Sequence, residues 1–288
     1  MSNKSTSFNE IRNIKVNNKL IDFSIPKIMG VLNITPDSFY DGGKYNEKDF
    51  WLSRTEAMLK SGADIIDIGA VSTRPGAKEV SVDEELKRII EPIKVLSDSF
   101  PETIFSVDTF KAKVAEESVK AGAHVINDIS GGTMDSKMFE TIAKLKAPYI
   151  LMHIHGTPTN MQRSPITKDV VTIVQNFFQT KVDELKNLGV ADIILDPGFG
   201  FGKSLKCNYE LLKNLESIRI NNLPILAGIS RKSMINKVLD ILPEEALNGT
   251  TTLNTIALLA GANILRVHDV EEANQVVKLV EFMRNTGC

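Results

Sequence analysis

Cysteine is almost absent: the 288 residues hold only Cys207 and Cys288, far apart and outside any CxxC or Cys/His cluster. That excludes a disulfide framework and a structural zinc site, and it fits a reducing compartment. Long apolar runs are missing too. No stretch of about 18 apolar residues occurs, and the Ser- and Asn-rich segment Met1 to Glu10 has no apolar centre, so neither a membrane span nor a secretory leader is predicted. The cytoplasm is the expected location. Net charge is nearly nil, with 34 Lys and Arg against 36 Asp and Glu, a formal −2. A general attraction to nucleic acid or to an anionic membrane is therefore excluded, and any anion must be met by a local group of donors. No linker or low-complexity segment follows residue 27, so residues 1–27 read as an N-terminal extension and 28–288 as one domain.

What is present is a repeating pattern. Short β-rich apolar runs fall at 28–32, 65–68, 104–107, 124–126, 149–152, 193–195, 225–227 and 264–267. Between them, 84–96, 111–121, 170–188 and 246–260 carry helical periodicity and are long enough for crossover helices. Gly62, Gly122 and Gly261 each stand just before a strand, where a helix ends in a left-handed cap. Eight βα units close naturally into a barrel, for which roughly 250 residues is typical. A doubly wound sheet would carry GxGxxG after its first strand, and this chain has Asn33-Ile34-Thr35-Pro36-Asp37 there. The fold class is thus α/β, a single (β/α)8 or TIM barrel, with 14–16 and 20–25 as a short N-terminal hairpin that could close the barrel floor.

In such a barrel the residues just after each strand converge on one mouth. Here they are Asn33; Gly69 with Ser72-Thr73-Arg74-Pro75-Gly76; Asp108; Asn127-Asp128; His153; Asp196-Pro197-Gly198; Ser230-Arg231-Lys232-Ser233; and Arg266 with His268. Taken singly, Asp128 or His153 reads as a helix cap or loop hydrogen bond. Together the set exceeds what capping needs, and Lys232, Arg266 and His268 on the last strands suggest an anionic ligand, often phosphate. Asp108 and Asp196, with Asn127 between them, offer acceptors to a ligand edge rich in N–H groups, such as a 2-aminopyrimidinone. The structural alternative is an ion network in the barrel core. The run Gly198-Phe199-Gly200-Phe201-Gly202-Lys203-Ser204 ends like a phosphate loop, but Pro197 stands where that motif needs its first glycine. It reads instead as a flexible loop with an aromatic wall.

Seven segments in order, spanning 28–270, resemble the dihydropteroate synthase family: Met29 to Phe39, Ser72-Thr73-Arg74-Pro75-Gly76, Ser106-Val107-Asp108-Thr109, Ile126-Asn127-Asp128-Ile129, Asp196 to Lys203, Ser230-Arg231-Lys232-Ser233 and Arg266-Val267-His268-Asp269-Val270. The resemblance implies a transferase that condenses p-aminobenzoate with 6-hydroxymethyl-7,8-dihydropterin diphosphate in folate biosynthesis, with Mg2+ accompanying the diphosphate. By the family pattern Asp108, Asn127, Met152, Asp196 and Lys232 would hold the pterin. Asn33, Arg266 and His268 would hold the diphosphate, with Asn33 also on the metal. Phe39, Thr73, Pro75, Phe201 and Ser233 would line the p-aminobenzoate site, which sulfonamides mimic. Asp37, Asp41 and Arg74 would act within the loops after the first two barrel strands. A homodimer is also implied by the resemblance. One departure is Gly69-Ala70-Val71, where the family usually reads Gly-Gly-Glu.

Two rivals remain. A barrel transferring a methyl group from methyltetrahydrofolate to a corrinoid protein would share the Asp/Asn pocket but predicts no diphosphate clamp. An inactive pterin-binding paralogue should have lost catalytic or loop residues, and none of those named above is missing.

Overall fold

Alternation along each parallel strand divides the side chains into two apolar sets, and the two sets build the molecule. The computed structural model describes residues 11–16, 19–34, 47–71 and 80–286. Eight parallel strands form the barrel: β3 (Lys27–Asn33), β4 (Ile65–Gly69), β5 (Ile104–Asp108), β6 (Val125–Asp128), β7 (Tyr149–Met152), β8 (Ile193–Asp196), β9 (Leu226–Ala227) and β10 (Ile264–Val267), paired in the order β8-β7-β6-β5-β4-β3-β10-β9. A parallel bridge from Leu195 to Ile225, with Leu195 N–H donating to the Pro224 carbonyl at 2.9 Å, joins the two ends of that order. Eight strands thus fall where the sequence pattern puts them. Two expected strands start a residue late: Ile225 precedes β9 and belongs to the bridge above, and His124 precedes β6, where its Nδ1 accepts from Phe105 N–H at 3.1 Å.

Outward-facing Ile66, Ile68, Phe105, Val107, Ile126, Leu151 and Leu195 are buried under the surrounding helices. These are α1 (Glu47–Lys60), α2 (Val82–Ser99), α3 (Ala112–Lys120), α4 (Met138–Leu145), α5 (Val170–Asn187), α6 (Leu205–Lys213), α7 (Ser233–Leu239), α8 (Leu247–Leu259) and α9 (Val270–Asn285). The four predicted helical stretches correspond to α2, α3, α5 and α8. The three predicted glycine caps have φ of +102°, +117° and +101° at Gly62, Gly122 and Gly261.

Inward-facing Met29, Ile65, Val125, Ile150, Ile194, Leu226 and Ile264 make an apolar layer at the N-terminal ends of the strands. An antiparallel hairpin, β1 (Ile14–Val16) with β2 (Lys19–Ile21), covers that layer with Ile14, Val16, Ile21 and Phe23. The Lys15 N–H bonds to the Asp192 carboxylate at 2.9 Å, just ahead of β8. The floor of the barrel is therefore dry and sealed, and polar inward positions occur only above it, towards the strand C-termini.

Candidate active site

Strand register sets the first row of the site. Asn33, Gly69, Asp108 and Asn127 are successive partners across β3, β4, β5 and β6, so they stand at one level of the mouth. Met152 and Asp196 are partners across β7 and β8. Arg266 enters from β10, opposite Met29, and its long side chain reaches across to the acids. Its Nε donates to Asp67 Oδ2 at 2.7 Å and its Nη2 to Asp108 Oδ2 at 2.9 Å. Asn127 Nδ2 also donates to Asp67 Oδ2, at 3.0 Å. The Oδ1 atom of Asn127 is buried and has no partner, so it remains free to accept from a ligand.

Asp67 is the residue that motif reading passes over. It is fully buried in the middle of β4 and touches both Arg266 and Asn127. The sequence signal that could find it is a long-range one: an acid inside the apolar run of 65–68 and an arginine inside that of 264–267 are two opposite charges that must meet if both strands are buried.

Charge in the mouth follows burial. Desolvation pushes the Asp108 carboxyl up to about 7; Arg266 opposes the rise, while Asp67, Glu85 and Asp128 add to it. Burial also raises Asp196, against the pull of Lys232 and of the Gly198 N–H that bonds its carboxylate at 2.7 Å. Lys232 is depressed by burial to about 8. Its Nζ donates to the Phe199 carbonyl at 2.6 Å and lies 4.6 Å from the centroid of the Phe201 ring. Burial works against the charge of Arg266, yet the Asp67 and Asp108 carboxylates hold its pKa above that of a free guanidinium. His268 is pushed down to about 4 by burial and by Arg266, so at neutral pH it offers an uncharged imidazole, its Nδ1 3.0 Å from Ser230 Oγ.

An apolar wall adjoins the polar row. Met152 is buried with Ile129, Ile154 and Met161, and Phe110, Met134 and Phe201 pack against them. A flat ring held by Asp108, Asn127 and Asp196 would thus have an apolar surface beside it. Ser233 stands exposed at the first position of α7, next to Lys232.

Several rim residues turn elsewhere. Asp128 faces away from the mouth and accepts from Tyr149 OH at 2.6 Å and from the N–H groups of Ser130 and Gly132, a loop-holding role. His153 is buried edge-on against Phe177, and Arg231 pairs with Asp269 at 2.7 Å. The segment from Gly198 to Ser204, expected to be flexible, is instead tightly bonded. Lys203 Nζ donates to the carbonyls of His153, Gly198 and Phe201, and Asn208 Oδ1 receives the Gly200 N–H at 2.7 Å. At the departure from the family pattern, Ala70 is fully buried in the outer apolar set and Val71 is half-buried. Asp37, Phe39, Asp41, Thr73, Arg74 and Pro75 lie outside the described residues.

The fold and mouth together define a class, a (β/α)8-barrel enzyme with an acid-and-amide pocket at the strand C-termini. Comparison with known proteins gives the same answer. The model of the family described as pterin binding enzyme matches residues 29–268. The chain is 44% identical over 263 residues to the dihydropteroate synthase of Escherichia coli (strain K12), covering 91% of this chain and 93% of that protein. The Yersinia pestis dihydropteroate synthase, solved in a sulfonamide drug complex, is 43% identical with a TM-score of 0.89, over 96% of this chain and 100% of that one. The Xanthomonas albilineans dihydropteroate synthase, solved with 4-aminobenzoic acid, is 34% identical with the same TM-score of 0.89, over 96% and 100%. The chain belongs to the dihydropteroate synthase family of pterin-binding enzymes.

Proposed function

We propose that the protein joins p-aminobenzoate to 6-hydroxymethyl-7,8-dihydropterin diphosphate, releasing diphosphate and 7,8-dihydropteroate, as a transferase of folate biosynthesis. The observation that carries this reading is the convergence of Asp108, Asn127, Asp196 and Lys232 on one mouth, in a chain 44% identical to a dihydropteroate synthase over 263 residues. The corrinoid methyltransferase reading is not favoured, because the similar proteins are synthases.

Asp196 accepts from the ring N–H edge, Asn127 Oδ1 accepts beside it, and Lys232 donates to a ring acceptor. The reacting carbon is a methylene on an electron-rich ring, so diphosphate departs first and the amine attacks the delocalised cation without a side-chain nucleophile. Rate enhancement then comes from holding the leaving anion and positioning the amine. Arg266 has Nη1 free of any described partner for the anion, and neutral His268 and Asn33 are the other candidate donors. Each charge-assisted contact contributes about 1.5–3 kcal/mol. Phe201 and Ser233 are the described residues on the p-aminobenzoate side, the position a sulfonamide would take; by the family pattern Phe39, Thr73 and Pro75 would complete that side, and Asp37, Asp41 and Arg74 would act with them.

For Mg2+, the exposed Asn33 supplies a hard oxygen at the rim, and the described residues hold no group of three His, Cys, Asp or Glu that would cage an ion. That donor set fits an ion which keeps its waters and binds chiefly through substrate phosphates. When bound, it would neutralise charge on the departing diphosphate. A homodimer is supported by apolar side chains exposed on neighbouring α8 and α9, including Leu259, Leu279, Phe282 and Met283. A cytoplasmic location is supported by the free, buried thiol of Cys207, and no helix among the described residues is long and apolar enough to cross a membrane.

The decisive experiment incubates the purified protein with both substrates and Mg2+ and measures dihydropteroate and diphosphate. EDTA should abolish turnover while calorimetry shows simple pterin binding unchanged. Methyl transfer to a corrinoid protein without any dihydropteroate would overturn the proposal.

A further inference from the structure

Lys203 is an ammonium where a loop would be expected to need none. The residue is 4% exposed, and its three donors meet three main-chain carbonyls: Gly198 at 2.8 Å, His153 at 3.1 Å and Phe201 at 3.1 Å. Among the described residues no carboxylate pairs with it directly: its donors are met by peptide carbonyls, with only a longer-range attraction from Asp196, and burial depresses its pKa to about 7. An expense of that kind is hard to account for by chain reversal alone, which glycines and a capping serine already provide.

The three carbonyls show what it accomplishes. His153 directly follows β7, whereas Gly198 and Phe201 belong to the turn after β8, so one side chain ties the segments leaving two adjacent strands together. The turn is pressed so closely onto the β7 segment that a Cβ at Gly198 would lie 2.1 Å from the His153 carbonyl, and one at Gly202 2.2 Å from that of His155. From the opposite side Asn208 holds the Gly200 N–H at 2.7 Å. The turn in turn presents the two groups that steer Lys232: the Phe199 carbonyl, 2.6 Å from its Nζ, and the Phe201 ring. Released from them, Lys232 would be free to follow the attraction of Asp196 and take up the carboxylate that the ring requires.

We propose that Lys203 is a positioning residue, which clamps the turn after β8 to the end of β7 so that Lys232 is held off Asp196 and aimed at the ligand. The inference rests on the pterin reading of the Lys232 pocket. Lys203 itself touches no substrate.

The test is a double-mutant cycle of Lys203→Met and Lys232→Met, reading the Kd of 6-hydroxymethylpterin by calorimetry, both KM values, kcat and Tm. Lys203→Met should weaken pterin binding by about 10-fold and raise the KM for the pterin diphosphate while kcat changes less than twofold, the pattern of lost uniform binding. In the Lys232→Met background the same change should cost less than twofold. Should Lys203→Met yield no folded protein, Asn208→Ala loosens the same turn from the other side and should show the same dependence on Lys232. Unchanged pterin affinity in the folded single variant, or single effects that simply multiply in the double variant, would overturn the inference while leaving the pterin reading intact. Wild-type protein that binds no pterin would remove both.

Discussion

Replacing Asp67 by Asn separates two jobs performed by one buried carboxylate. In the wild-type mouth a single guanidinium serves both Asp67 and Asp108, and the Asp108 carboxyl stands at about 7, raised first by burial and further by Asp67. A ring edge of N–H groups needs an ionised acceptor. Pterin affinity should therefore climb as the pH rises towards 7 and level off above it, falling about tenfold per pH unit on the acid side. Asp67→Asn leaves Arg266 to Asp108 alone, so the Asp108 pKa drops and the inflection moves to lower pH. At pH 6 the wild type should bind about tenfold below its plateau, while the variant stays close to its own. That plateau will itself be lower, because Asp67 orients Arg266 and Asn127 through Nε, Nη2 and Nδ2. Loss of one such charge-assisted bond corresponds to about 10- to 100-fold in affinity. Stability should follow the opposite sign. A carboxyl whose folded pKa is raised favours the fold below its unfolded value of 3.8, and that contribution is lost as the pH rises to about 7, less so in the variant. Calorimetric titration with a simple pterin from acid to mildly alkaline pH, with urea melts in parallel, reads both. An identical inflection in the two proteins, or affinity that falls as the pH rises, would refute the argument.

Three further outcomes follow from the same geometry. Asp196→Asn should reduce pterin affinity sharply, since one acceptor becomes a donor facing N–H groups; an unchanged calorimetric Kd would count against the pocket. Tyr149→Phe removes the 2.6 Å bond to buried Asp128 and should cost about 1.5–3 kcal/mol in urea denaturation, with turnover per folded molecule unaffected. Phe23→Ala, in the hairpin that covers the floor, should cost about 3–5 kcal/mol of stability and leave substrate KM values alone; a selective rise in KM would contradict the separation of floor from mouth.

Much of this arrangement could be read from the chain. The eight strands were legible because parallel strands buried on both faces appear as unbroken apolar runs, and Asp108, Asn127 and Asp196 were legible because each ends such a run. His124 was drawn into β6 because its ring, packed against Phe105, behaves as part of the apolar run, although pairing begins at Val125. Asp67 was hidden because its significance depends on Arg266, 199 positions away, and local pattern carries no such distance. Lys203 was misread for a different reason. Its partners are main-chain carbonyls, which have no letter in the sequence, so glycine content alone suggested looseness where the folded turn is fixed. The charge state of His268 was equally invisible, since a histidine at a strand end reads as a cation until its burial is known.

A tube stoppered at one end has a rule of traffic. Because Ile14, Val16, Ile21 and Phe23 stop the bottom, whatever rests deepest must arrive before a molecule that covers it nearer the rim. Order of addition is then a matter of plumbing before it is one of chemistry.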